Sequence, residues 1–167
     1  MNLYLLRHGI AVEPGTAGFE LDADRPLTTK GERKLHLVAD AMERLELTFD
    51  LILSSPYRRS RATAEIVAGV LDLKKTLEFT SSLEPGGSSR ELIANLKATR
   101  PAPANVLLVG HEPYLSSLIS LLISGETGVP VTMKKGGLCK LSVDSLSHGR
   151  CAILEWLLTQ RQLVIMA

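Results

Sequence analysis

Short apolar runs alternate along this chain with longer segments in which apolar residues recur every three or four positions. The short apolar segments predict strands at residues 2–6, 51–53, 76–79, 106–109, 138–143 and 151–156. The helical spacing predicts helices over residues 29–45, 55–71, 88–96 and 113–124. Residues 9–26 carry glycine, proline and acidic residues without a period, which predicts a long loop.

Three of the helix starts are marked by capping signals. Thr29 with Glu32, and Ser88 with Glu91, fit the spacing of a capping box, in which the first side chain accepts from a backbone N–H three residues on. Ser55-Pro56 fits an N-cap followed by proline at the first helical position. We therefore expect these helices to begin at these residues.

The alternation of strands and helices, closed by a hairpin across residues 144–149, predicts an α/β fold. We expect a three-layer α/β/α sandwich around a mostly parallel mixed sheet, with residues 1–167 forming a single domain. Residues 106–109 are apolar throughout, which is typical of a central strand buried on both faces. Ligands of such sheets bind outside the carboxyl ends of the strands, so functional residues are expected there.

The composition narrows the class of protein. The 167 residues are 45% hydrophobic with a formal net charge of +1, which excludes disorder and argues against a general nucleic-acid binder. No apolar run approaches the roughly 20 residues of a spanning helix, and Arg7-His8 cuts the opening run short, so we expect neither a membrane segment nor a signal peptide. Cys139 and Cys151 are too few for a disulfide framework or a zinc site. We expect reduced core thiols in a cytoplasmic protein.

Histidine or arginine residues follow three predicted strands within a few positions. Arg7 and His8 follow the first strand, Arg58-Arg59 follows the second, and His111 follows the central one. Guanidinium groups bind phosphate through a fork of N–H donors, and the helix start at Ser55-Pro56 adds unpaired backbone donors. Clustered arginines repel a cation, and no carboxylate shares the cluster at ligand spacing. We therefore expect an anion site that holds no metal.

The same residues resemble the motifs of the histidine phosphatase superfamily, whose fold is that of the phosphoglycerate mutases. Arg7-His8-Gly9 matches the family's Arg-His-Gly motif, and residues 110–113 match its Gly-His-x-Pro motif. Residues 55–64 resemble its Ser-Pro-x-x-Arg-Ala-x-x-Thr-Ala segment, which places Arg59 at the family's arginine. One departure is Ser60, where the family usually has alanine.

A further stretch narrows the resemblance to one branch of the family. Residues 25–31 look like the Arg-Pro-Leu-Thr-x-x-Gly stretch of the SixA-type branch, the small protein phosphohistidine phosphatases, and the similarity runs over residues 1–157. It implies that His8 is the nucleophile and that Arg7, Arg59 and His111 hold the phosphoryl oxygens. Neighbouring positive charges are expected to lower the pKa of His8 and keep it neutral. We expect no cofactor.

Three further residues are assigned to substrate binding. Arg58 lies beside the matching arginine, and Gly9 belongs to the first motif. Two roles fit Arg25 equally well: it either binds phosphate at the mouth of the pocket or pairs with Asp22 or Asp24.

The residue that would protonate the leaving group is not marked by any motif. Larger relatives use a carboxylic acid, and Glu84, just before a Gly-rich turn, is the best-placed candidate here; Glu13, Asp22 and Asp24 are alternatives. Imidazole, whose protonated ring has a pKa near ~6.5, leaves far more easily than an alkoxide. A phosphohistidine substrate would therefore make a strong acid dispensable.

The leading hypothesis is a phosphatase for protein phosphohistidine, with a partner such as a phosphotransfer domain. The alternatives are a phosphatase for small phosphomonoesters and a non-catalytic module that holds a phosphorylated ligand. Only the arginines at positions 58, 59 and 61 hint at nucleic acid, and we expect no such partner. Lys134-Lys135 fits either the edge of the site or an ordinary basic loop, and the apolar residues 162–167 either pack on the domain or aid dimerisation.

Overall fold

Six strands and five helices alternate along the chain in the computed structural model, which describes all 167 residues. The strands are β1 (Asn2–Arg7), β2 (Leu51–Ser54), β3 (Leu77–Phe79), β4 (Asn105–Gly110), β5 (Leu138–Val143) and β6 (Ala152–Leu158). The helices are α1 (Thr29–Arg44), α2 (Arg58–Val70), α3 (Ser89–Ala98), α4 (Tyr114–Ser124) and α5 (Gln160–Met166).

All six strands belong to one sheet with the order β3-β2-β4-β1-β5-β6. The first four strands pair in parallel, whereas β5 pairs antiparallel with β1 and with β6. The closing hairpin predicted from the sequence is therefore β5 and β6, added to the edge of a parallel sheet. The predicted mixed sheet is confirmed, and β1 and β4 lie at its centre.

The core lies on both faces of this sheet, because side chains alternate between the faces along each strand. In β1, Leu3 and Leu5 pack with helices α3 and α4, whereas Tyr4 and Leu6 pack with α1 and α2. Leu163 of α5 joins the second group. The two helical layers and the sheet between them confirm the predicted three-layer α/β/α class.

Two predicted helix starts are displaced. Thr28, not Thr29, is the N-cap of α1, and its side chain accepts from the Gly31 N–H at 3.0 Å. Helix α2 begins at Arg58 rather than at the Ser55-Pro56 pair. The reason is that the Ser55 N–H still donates to the strand β4, at Val109 O, so the helix starts only after a further turn. The Ser88 cap of α3 is confirmed by its bond from the Glu91 N–H at 3.2 Å.

The loop and the tail contain more structure than the sequence pattern predicted. Within residues 9–26, a short 3-10 turn at Asp22–Asp24 and a single bridge between Ala11 and Leu27 interrupt the predicted loop. The apolar tail forms α5, which Thr159 caps through a reciprocal pair of bonds with Gln162. Its buried Leu163 packs on the α1 side of the sheet, so this part of the tail packs on the domain.

None of the five helices is both long enough and apolar enough to cross a lipid bilayer. Cys139 is buried in β5, as predicted, and Cys151 is only partly buried just before β6. Both are free thiols.

Candidate active site

The carboxyl ends of the three central strands lie level with one another. In the strand register Arg7 pairs with Gly110, and Ser54 pairs with Val109. The pairing continues for one more residue, because the His8 N–H donates to Gly110 O at 3.0 Å. The residues that follow β1, β2 and β4 therefore meet at one edge, as predicted. The ring centroids of His8 and His111 lie 5.1 Å apart.

His8 is held as a neutral imidazole with a defined tautomer. His8 is only 5% exposed, and its Nδ1 lies 2.8 Å from the Gly9 carbonyl oxygen. A carbonyl can only accept, so Nδ1 carries the proton and Nε2 keeps its lone pair. Burial lowers the pKa of His8 to about 3, with further lowering by His111, Arg59 and Arg7. The direction agrees with the expectation, but burial is a larger cause than the positive neighbours.

His111 has one ring nitrogen bonded and one unpaired. Its Nε2 lies 2.8 Å from Ser55 Oγ, and its Nδ1 is buried without a partner. Ser55 Oγ already accepts from the Tyr57 N–H at 3.3 Å. When the Ser55 hydroxyl donates to Nε2, the single proton of the neutral His111 ring lies on Nδ1. Nδ1–H is then a donor without a partner. Burial and the charge of Arg59 lower the pKa of His111 to about 3.

Arg59 connects His8 to the 3-10 turn. This arginine is 3% exposed, and its Nε donates to His8 Nε2 at 3.2 Å. Its Nη1 donates to the Asp22 carbonyl oxygen at 2.6 Å, and its Nη2 to Asp22 Oδ2 at 2.8 Å. All three guanidinium nitrogens are therefore engaged. Helix α2 begins at Arg58 rather than at Ser55-Pro56, so Arg59 lies in its first turn. The helix start therefore positions the Arg59 side chain.

Asp22 is the residue of this cluster whose role the sequence analysis missed. Arg25 donates from Nε and Nη2 to Asp22 Oδ1 at 2.8 and 2.6 Å, while Oδ2 binds Arg59. Burial acts to raise the pKa of Asp22, but hydrogen bonds from Arg25 and Arg59 outweigh it and lower the pKa. Of the two alternatives for Arg25, the structure contains the pair with Asp22. Nothing in the motif pointed to an Asp22–Arg59 contact across 37 positions.

Arg7 lies at the end of β1 with part of its guanidinium unpaired. Its Nη1 donates to the Met133 carbonyl oxygen at 2.8 Å, and its Nε is buried without a partner. Burial lowers the pKa of Arg7, and the charge of Glu112 opposes this. Glu112, whose Oε1 accepts from the Ser116 N–H, is a carboxylate near the site that the sequence analysis did not consider.

The remaining candidates make contacts of other kinds. Arg58 is exposed and makes no side-chain hydrogen bond, so Arg59 is the arginine that the structure brings to His8. Glu84 is partly buried at the end of a 3-10 turn, and no hydrogen bond joins its side chain to either histidine. Glu13 pairs with Lys135 at 3.4 Å. The Gly9 N–H donates to Thr63 Oγ1 at 3.2 Å, so the backbone of Gly9 supports His8 rather than a substrate.

The structure contains no group of three histidine, cysteine or acidic side chains placed to bind a metal ion. The site is therefore built from two neutral imidazoles and two buried or partly buried guanidinium groups. Such a set offers N–H donors and positive charge to a tetrahedral anion, together with one imidazole lone pair that can attack it.

This fold and this site define a protein that handles phosphoryl groups through histidine. The chain belongs to the histidine phosphatase superfamily (branch 1), whose model matches residues 3–83, and is a phosphatase of that superfamily. Within it the chain belongs to the SixA-type branch. It is 29% identical to the phosphohistidine phosphatase SixA of Escherichia coli over 150 residues, which is 89% of each chain.

An uncharacterized protein of Picosynechococcus is 42% identical over 142 residues, 84% of each chain. A comparison of structures agrees with the assignment. The structure of the protein histidine phosphatase SixA complexed with tungstate superposes with a TM-score of 0.83 at 28% identity, and covers 98% of this chain and 99% of that one. The predicted family, branch and fold are confirmed.

Proposed function

We propose that this protein hydrolyses phosphohistidine on a partner protein through a phosphorylated intermediate on His8. The observation that carries the proposal is the state of His8, which is buried, neutral and bonded through Nδ1, with its Nε2 lone pair accepting only from Arg59 Nε. A neutral imidazole is a nucleophile toward phosphorus once Arg59 Nε turns from this lone pair to a phosphoryl oxygen. The similarity to SixA, which carries the name of a phosphohistidine phosphatase, supports the same substrate class.

The first chemical step transfers the phosphoryl group to His8. The Nε2 lone pair forms a bond to phosphorus, while the bond from phosphorus to the leaving imidazole breaks. The leaving ring carries a proton on its other nitrogen, so the electron pair of the broken bond converts it to a neutral imidazole, and phosphorylated His8 keeps its own proton on Nδ1. Arg59 Nε, which donates to His8 Nε2 in this structure, donates instead to a phosphoryl oxygen. In the second step a water oxygen attacks phosphorus, the phosphorus–Nε2 bond breaks, and the water proton leaves with phosphate or solvent.

Three groups near His8 would hold the phosphoryl oxygens. Arg59 Nε lies 3.2 Å from the reacting nitrogen, the His111 ring centroid lies 5.1 Å from that of His8, and Arg7 precedes His8 in the chain. Arg7 Nε and His111 Nδ1 are buried without protein partners, so both are free to bind a phosphoryl oxygen. Charge on the transferred oxygens is what these donors would stabilise. Tungstate, which the related SixA structure holds, is a tetrahedral oxyanion of the same kind.

The carboxylates near the site support a leaving group that needs no strong acid. One of them is Asp22, which binds two arginines, and hydrogen bonds from Arg25 and Arg59 lower its pKa. An ionised carboxylate cannot protonate an alkoxide. A phosphohistidine ring needs no strong acid in the site, because its other nitrogen is protonated from solvent near pH ~6.5 and the ring then leaves as neutral imidazole. A phosphohistidine substrate therefore fits this site better than a sugar phosphate does.

The test compares phosphate release from a histidine-phosphorylated phosphotransfer domain with release from a sugar phosphate and from p-nitrophenyl phosphate. We expect the phosphoprotein to have the highest kcat/KM. Quenching during turnover should trap an acid-labile, alkali-stable adduct that is absent from His8→Ala. A faster reaction with the small esters, or an adduct that survives acid, would contradict the proposal. Phosphate binding without turnover of any substrate would favour a binding module instead.

A further inference from the structure

A second, cationic pocket opens beside the candidate active site and shares Arg7 with it. Its volume is about 420 Å³. It is lined by Arg7, Ile10, Lys34, Lys134, Lys135, Thr159, Gln160 and Arg161. None of the residues His8, Arg59 and His111 lines this pocket, so it is separate from the position that we assign to the phosphoryl group.

The charge of the pocket is strongly one-sided. Five of its eight lining residues are arginine or lysine, and none is acidic, although the whole chain has a formal net charge of only +1. One carboxylate approaches the pocket, since Glu13 pairs with Lys135 at 3.4 Å, but both side chains are substantially exposed. An exposed pair of this kind is worth little. The pocket therefore presents a positive potential to solvent.

Cations reach the pocket from three separate parts of the fold. Lys34 comes from helix α1, Lys134-Lys135 from the segment before β5, and Arg161 from helix α5. The lysine segment is tied to the nucleophile, because the Gly136 N–H donates to Arg7 O at 3.0 Å and to His8 O at 3.1 Å. A ligand in the pocket would therefore lie next to the residue that we propose as the nucleophile.

The wall of the pocket also contains a buried donor without a partner. Gln160 is only 7% exposed, and its Nε2 has no hydrogen-bond partner. Native proteins leave few such groups, and an acidic group bound at this wall would supply the missing acceptor. The donor and the charge thus point to the same class of ligand.

We propose that this pocket docks acidic side chains on the surface of the phosphorylated partner protein, beside its phosphohistidine. The inference rests on the proposed function and names a feature of its substrate. The pocket is open and its lysines and arginine at positions 134, 135 and 161 are exposed or partly exposed. Charges of this kind act over a distance and speed the encounter with an oppositely charged surface, which suits a protein better than a small ester.

Charge reversal tests the proposal. The variant K34E/K134E/R161E removes three cations from the pocket and leaves Arg7 and the histidines unchanged. A matched variant, R44E/K75E/K97E, makes the same change of net charge at the opposite edge of the sheet, where α1 and α3 end and β3 begins. The substrates are a histidine-phosphorylated phosphotransfer domain with an acidic surface and p-nitrophenyl phosphate, each assayed at low and high salt.

For the phosphoprotein, we expect the pocket variant to lose at least tenfold in kcat/KM at low salt, mainly through KM, and the loss to shrink at high salt. Turnover of p-nitrophenyl phosphate should stay within about twofold of the parent, since that ester does not need the pocket. An equal loss in the matched variant, no loss in either, or an equal loss with p-nitrophenyl phosphate would overturn the docking site. Failure of the unaltered protein on phosphohistidine, with p-nitrophenyl phosphate still cleaved, would instead overturn the proposed function beneath it.

Discussion

Replacing Asp22 by asparagine tests how Arg59 is held against His8. A guanidinium has an end, formed by Nη1 and Nη2, and an edge that includes Nε. Asp22 binds the end through its carbonyl oxygen and Oδ2, which turns Nε toward His8 Nε2. Arg25 in turn holds the other carboxylate oxygen. Asparagine keeps the size and the backbone carbonyl but removes the charge, so we expect Arg59 to be held less firmly while the fold remains.

The expected effect on stability is small and the effect on turnover is larger. The side chain of Asp22 is 50% exposed, so its ion pairs are screened and contribute ~1 kcal/mol or less. Complete loss of a donor to a developing oxyanion costs ~10²–10³ in kcat. A donor that is loosened rather than removed should lose a fraction of this, and we expect kcat to fall about tenfold, or ~1.4 kcal/mol. Because a negative charge beside the phosphoryl group is removed, KM should stay constant or fall.

The assay measures kcat, KM and melting temperature for Asp22→Asn beside Asp24→Asn. Asp24 lies in the same 3-10 turn but makes no side-chain hydrogen bond or ion pair with either arginine, so it controls for the turn itself. The reasoning predicts a lower kcat for the first variant only, with both melting temperatures near that of the parent. A raised KM with unchanged kcat, or an equal loss of kcat in Asp24→Asn, would refute the positioning role.

Three further predictions concern the histidines and one glycine. Ser55→Ala removes the hydroxyl that is hydrogen-bonded to His111 Nε2. Losing this bond, at a cost of ~1 kcal/mol, should lower kcat/KM about five- to tenfold, and unchanged kinetics would contradict a positioning role for Ser55. His8 and His111 stay neutral in the folded protein, but in the unfolded chain they are protonated below pH ~6.5. Lowering the pH from 7 to 5 should therefore lower the free energy of unfolding by up to ~2 kcal/mol per histidine. A free energy of unfolding that does not change over this range would contradict the lowered pKa values. A Cβ at Gly31 would lie 2.1 Å from the carbonyl oxygen of Ile10, so Gly31→Ala should lower the free energy of unfolding by ~1–3 kcal/mol. Gly69→Ala is the control, because the nearest atom to its Cβ is 3.6 Å away. Equal melting temperatures for the two variants would argue against the clash.

The sequence was sufficient where local pattern and global fold agree. Uninterrupted apolar runs marked β1, β2 and β4, because a parallel strand covered on both faces has little room for polar residues. The residues that follow such strands must meet at one edge, so the neighbourhood of His8 and His111 could be predicted without knowing any contact.

Local signals were less reliable where two neighbouring residues compete for one role. Thr28 and Thr29 both fit an N-cap, and the structure chooses Thr28 because its N–H still donates to the loop at Ile10 O. The start of α5 was missed although Thr159 and Gln162 form a capping box that the sequence contains. That signal could have been found, since the apolar residues after it continue at helical spacing.

The Asp22 bridge could not be predicted, because its position depends on the path of a loop with no periodic pattern. Its consequence for the proposed chemistry is nevertheless direct. A carboxylate shared by two guanidinium groups stays ionised as pH falls toward its lowered pKa, so it holds Arg59 in place but has no proton to give. The same contact that orients Arg59 therefore withholds the proton of Asp22 from a leaving group. Under the proposed function, a preference for phosphohistidine over phosphate esters should persist in any variant that leaves the two arginines on Asp22.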